Sequence, residues 1–141
     1  MRINTLITAL LLVFACCILC ESRYSQAYAD EIPVNELIQK YLPMTSRQRS
    51  QFMSQNRAKL RVKGKGKIVD VETQGIALVS SRGNDCADVV IVPPIGKTAR
   101  LASANKGDDV EVRGMLFNID TRGIDASGMR CKDIWVQIRQ E

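Results

Sequence analysis

From Leu60 the chain alternates strictly. Val62, Gly64, Gly66 and Ile68 fall on one face, and Arg61, Lys63, Lys65 and Lys67 on the other. A period of two makes this segment a strand. At Val69 and Val71 the apolar residues swap parity. In a strand that contains glycines, such a swap marks a β-bulge or a sharp coil, which a long strand needs if it is to serve two sheets. The segment therefore predicts a mainly β fold organised around one long, bent first strand.

The remaining elements are shorter. Upstream, Val34, Leu37, Ile38 and Tyr41 recur at helical spacing over residues 33–42, with Pro33 suited to the first turn and Pro43 ending the helix. Thr45 or Ser46 then caps a second helix to about residue 59, whose only apolar positions are Phe52, Met53 and Ala58. Downstream, residues 75–81, 86–92, 110–117 and 132–139 read as strands. Between the third and fourth, Pro93, Pro94 and Gly96 precede residues 97–105, where a short helix is expected. The chain divides into a leader (1–29), an N-terminal helical segment (30–59) and a β domain (60–141).

Arg2, an apolar run over residues 6–20 and Ala27-Tyr28-Ala29 before Asp30 form the pattern of a secretory signal with its cleavage site. The run is long enough that an uncleaved anchor stays open, and a lipidated variant is a weaker reading of the same leader. Export to the periplasm or the exterior is expected, with membrane contact only through an uncleaved or lipidated leader. Of five cysteines, Cys16, Cys17 and Cys20 fall in the leader, which leaves Cys86 and Cys131. An even remainder in an oxidising compartment reads as one structural disulfide, with unlinked buried thiols as the alternative.

The strand ending Gly66-Lys67-Ile68-Val69-Asp70-Val71, and the later Lys106-Gly107-Asp108-Asp109-Val110-Glu111-Val112-Arg113-Gly114, resemble the first and fourth strands of an OB-fold domain. The likeness is to small exported OB proteins of the tRNA-anticodon-binding-like superfamily, and it covers about residues 45–141. It implies a five-stranded Greek-key barrel with a short helix between strands three and four. It also implies that strands three and five run side by side and parallel. Cys86 and Cys131, each opening one of them, would then stand within bridging reach. A β-sandwich fragment and an open α+β sheet are the alternative folds.

Charge is the most uneven feature. Residues 40–67 hold nine basic residues (Lys40, Arg47, Arg49, Arg57, Lys59, Arg61, Lys63, Lys65 and Lys67) and no acidic one, whereas residues 68–141 hold nine basic and eleven acidic. The cations on the first strand make a row about 20 Å long, suited to the backbone of a polyanion. The same row also serves an edge that must stay soluble. Candidate binding residues are Lys59, Arg61, Lys63, Lys65, Lys67 and Trp135. Trp135 points away from the face that Ile134, Val136 and Ile138 bury, and it either stacks on a ligand or is covered by the N-terminal helices.

The chain contains no His, which removes the commonest general base and the commonest metal ligand. Lys65 lies between glycines but outside any phosphate-loop pattern. Asp120 and Asp125 lack calcium-loop spacing and read as Asx-turn residues, and Asp109 and Glu111 read as turn and strand-surface residues. No nucleophile, base and oxyanion donors assemble, so no enzyme, cofactor or metal is expected. The expectation is a binding module for single-stranded nucleic acid or an anionic glycan. The alternative is a structural or adaptor component of an envelope assembly that docks a protein partner.

Overall fold

The computed structural model describes residues 31–95, 101–123 and 127–141. The leader with Cys16, Cys17 and Cys20, residues 97–100 of the expected short helix, and Asp125 lie outside the described residues. Six strands and two helices follow in order: β1 (Glu31–Pro33), α1 (Val34–Tyr41), α2 (Ser46–Asn56), β2 (Arg61–Val71), β3 (Ala77–Ser80), β4 (Val89–Val92), β5 (Asp109–Asp120) and β6 (Trp135–Arg139).

One mixed sheet closes a ring through five of the strands. β2 pairs antiparallel with β3, β3 with β4, β4 runs parallel to β6, β6 pairs with β5, and β5 returns to β2. β1 adds in parallel beside the start of β2, pairing Glu31 with Arg61 and Pro33 with Lys63. The long strand serves two neighbours in succession: Arg61 to Lys67 pair with β5, and Lys67 to Val71 with β3. The register shifts between Ile68 and Asp70. Before the shift Val62 and Ile68 face the core; after it Val71 does, while Val69 packs on a separate outer cluster. The parity swap in the sequence is this bulge.

Two glycines of β2 are required by close approach. A Cβ on Gly64 would stand 2.6 Å from Val34 Cγ1, and one on Gly66 would stand 2.5 Å from the Ser80 carbonyl oxygen. The first lets α1 sit down on the sheet, and the second lets β3 turn in against β2.

The core lies inside the ring. Val62, Ile68, Val79, Val89, Ile91, Leu116, Ile134, Val136 and Ile138 fill it, joined by Val34, Leu37, Ile38 and Tyr41 of α1. The period of 3.6 in α1 meets the period of two in the strands in one apolar volume, where each fully buried side chain contributes roughly 1.5–3 kcal/mol.

Several boundaries differ from the sequence reading. α2 ends at Asn56, and residues 57–59 form a turn in which Ala58 takes a positive φ of 57°. There the amide of Ala58 donates to the Leu116 carbonyl at 2.8 Å, which already lines the chain up with β5. β5 continues through Asn118, Ile119 and Asp120, residues read from sequence as the start of a loop. β1 has no counterpart in that reading, because three residues are too few to show a period. Of the expected short helix, the described part, residues 101–105, forms turns instead, with the Ala104 amide donating to Leu101.

Candidate functional site

On β2 the outward row is real but it is not alone. The antiparallel register sets Lys63 opposite Arg113, Lys65 opposite Glu111 and Lys67 opposite Asp109. Lys67 pairs with Asp109 at 2.9 Å, Lys63 with Glu31 at 3.8 Å and Arg61 with Glu141 at 3.3 Å, while Glu111 takes Arg113 at 2.8 Å. Five cations of this face thus meet four carboxylates. Of the row, Lys65 has no carboxylate partner among the described residues. These pairs are exposed and each is worth little energetically, but together they cancel most of the field that the bare strand would project.

Upstream of the strand the balance is different. Arg47, Arg49, Arg57 and Lys59, with Lys40 at the end of α1, form no ion pair among the described residues. α2 is fixed in place by polar contacts. Thr45 closes a capping box with Gln48, the Arg49 guanidinium donates to Thr121 Oγ1 at 3.0 Å and to the Leu42 carbonyl at 2.7 Å, and Arg57 reaches Asn118 Oδ1 at 3.5 Å. Arg49 also lies 5.4 Å from the centre of the Tyr41 ring, whose edge meets Phe52. Burial pushes the Tyr41 hydroxyl pKa up.

Trp135 is covered, but not by the helices expected to cover it. Its half-buried ring packs with Val69, Ile76, Leu78, Ala87 and Val90 in a small apolar cluster on the outside of the ring of strands. Arg130 lies over the ring at 4.9 Å and reaches Glu72 at 3.4 Å, so the chain before β6 is held to the β2–β3 turn. Position 130 also forms a parallel bridge with Ala87. Beside that bridge Cys86 and Cys131 are joined in a disulfide with their Cα atoms 4.9 Å apart. The parallel pairing of β4 and β6 brings the two cysteines together.

The sequence reading missed one carboxylate cluster, around Asp88, and read Asp120 correctly as an Asx-turn residue. Asp88 is fully buried and accepts from the Ser81 amide at 2.7 Å, the Ser81 hydroxyl at 2.6 Å and Arg82 Nε at 3.1 Å. The same guanidinium grips Asp133 with two hydrogen bonds, which hold that carboxyl below its ordinary range. Asp120, also buried, accepts from the Arg122 side chain and its amide, an Asx turn whose hydrogen bonds lower its pKa. Each carboxylate is occupied by its arginine, which makes both clusters fasteners of loops. No group of acidic or sulfur ligands that could hold a metal ion occurs among the described residues, and no described helix is long and apolar enough to cross a membrane.

No family model matches this chain, nor does any curated protein or any solved structure. What the molecule does is therefore argued from its own surfaces.

Proposed function

We propose that the chain is a non-enzymatic, exported binding module built on an OB barrel, and that it holds an anionic polymer. Its strands join in the order first, second, third, fifth, fourth and back to first when counted from β2, which supports the resemblance to small exported OB proteins. The leader pattern and the disulfide support export. The observation that carries the reading is the run of residues 40–67, which has nine cations and no carboxylate. Three acids, Glu31, Asp109 and Glu141, pair with cations of its strand portion alone.

The second reading, an envelope adaptor that docks a protein, is favoured by the pairing of Arg61, Lys63 and Lys67 with carboxylates, since a neutralised row serves solubility. Salt separates the two. Protein recovered after export is titrated with a labelled anionic polymer at several ionic strengths. Polyanion binding weakens steeply as salt rises, whereas adaptor docking gives no low-salt affinity for the polymer and a salt-tolerant protein complex. Absence of polymer binding at low ionic strength would overturn the first reading.

A further inference from the structure

We infer that the anion-binding surface is the exposed face of α2 with the turn that follows it, and that its ligand is an anionic glycan. The inference rests on the anionic-polymer reading and replaces the β2 row as its seat. Three observations carry it.

The first is charge. Arg47, Arg57 and Lys59 are exposed and without a carboxylate partner among the described residues, whereas the strand row faces Glu31, Asp109, Glu111 and Glu141. A ligand approaching the strand must displace or repel those acids. Among the described residues, the exposed cations of the helix and its turn are not ion-paired with any.

The second is the construction of the helix. None of its eleven residues is fully buried, and only Phe52 and Met53 pack against the core. It is nevertheless fixed, by the capping box at its start and by Arg49 and Arg57 bonding across to Thr121 and Asn118. Its outward positions are Arg47, Ser50, Gln51, Ser54 and Gln55. Ser50, Ser54 and Arg57 line one open groove with Met53 and Ala58. Guanidinium, hydroxyl and amide groups held at fixed spacing suit carboxylates or sulfates interleaved with sugar hydroxyls.

The third is the state of the aromatic rings, which decides between polymers. Single-stranded nucleic acid is held through bases stacked on exposed rings. Here Tyr41 is buried against Phe52, Phe117 lies under Arg139 at 4.3 Å, and Trp135 lies under Arg130. Phe52, Phe117 and Trp135 are half-buried, so no ring among the described residues stands fully exposed to receive a base. The outward positions of α2 are polar, and Met53, half-buried in the groove, is the one large apolar side chain among the groove-lining residues named, too little to anchor the helix in a lipid surface.

The test uses the exported protein and two charge-reversed forms. The helix form carries Arg47→Glu, Arg57→Glu and Lys59→Glu, and the strand form Lys63→Glu, Lys65→Glu and Lys67→Glu. Heparin and alginate serve as sulfated and carboxylated glycan probes, a thymidine oligonucleotide as the single-stranded probe, and phosphatidylglycerol vesicles as the lipid probe. A milder helix form with Gln at the same positions, matched to the wild type in thermal midpoint, guards against loss by misfolding. The expected result is glycan binding that falls by about tenfold or more in both helix forms and changes by less than about twofold in the strand form, with the oligonucleotide and vesicles bound more weakly than the glycans. Loss in the strand form alone overturns the placement on α2 and leaves the anionic-polymer reading standing. Tighter binding of oligonucleotide or vesicles than of glycan overturns the ligand class. No binding of any polyanion at low salt removes the reading and the inference together.

Discussion

Replacing both members of the bridge, Cys86→Ala with Cys131→Ala, tests whether the disulfide acts on the unfolded chain or on the native contacts around it. The bonded residues are 45 apart in sequence. In the chain-entropy treatment a closed loop of that length removes enough freedom from the unfolded ensemble to contribute about 4 kcal/mol. The native side has little to lose. Around the bridge the Ala87 amide donates to Met129 at 2.7 Å and the Cys131 amide to Ala87 at 2.8 Å, and these bonds do not depend on the sulfurs. Domains of this size are stable by about 5–15 kcal/mol, so the double variant should fold but lose a quarter or more of its margin. Urea titrations of the oxidised wild type, the reduced wild type and the double variant measure this directly. The latter two should agree with each other and fall together to a lower midpoint. A loss below about 1 kcal/mol, or alkylation of two free thiols in the folded exported protein, would refute the argument.

Glycine contacts give a ranked pair. Gly66→Ala drives a Cβ into a backbone carbonyl of β3 and should cost about 1–3 kcal/mol or more, whereas Gly64→Ala meets the buried Val34 side chain, with no backbone atom nearer than 4.0 Å, and should cost less; denaturant midpoints in the reverse order would contradict the packing described. Asp133 has its pKa lowered by hydrogen bonds from Arg82, so its contribution is present above the ordinary carboxylate range and disappears as pH falls through the lowered value. The stability difference between wild type and Asp133→Asn should therefore be largest near neutrality and shrink towards zero in acid, and a difference constant with pH would exclude the ionic origin. Thr45→Ala removes one arm of the capping box and should cost about 1 kcal/mol, read as faster amide exchange confined to the first turn of α2.

Much of the fold was legible because it is written in local periods. The switch from 3.6 to two near Leu60 locates the border between helices and sheet, and the swap at Val69 and Val71 locates the bulge where the register shifts, between Ile68 and Asp70. What escaped lies where the cause is nonlocal. β1 exists because β2 leaves a row of backbone groups open beside Arg61 to Lys63 once β3 has departed to the other half of the strand. Asn118 to Asp120 join β5 because β6 is there to receive them, through a register shift after Leu116. Neither condition can be read from the residues concerned. Trp135 shows the same limit: alternation gave the direction of its side chain correctly, but its cover, Arg130, comes from a loop whose path is set by the Ala87 bridge and the disulfide.

The candidate site was legible in position along the chain and misleading in space, and the reason is the register of an antiparallel pair. In such a pair, residues that alternate outward on one strand face those that alternate outward on the other. Asp109 and Glu111 have the same period of two as Lys65 and Lys67, offset so that the signs oppose. A run of cations on one strand therefore says almost nothing about the field it projects until its partner strand is known. A helix that packs only one side has no such partner. Arg47 on α2, with Arg57 and Lys59 in the turn after it, is exposed whatever the register of the sheet, while Arg49 turns inward to Thr121 and the Leu42 carbonyl. For this chain the charge pattern is best read where the secondary structure cannot cancel it, which is why the proposed binding surface is set on the helix before the strand.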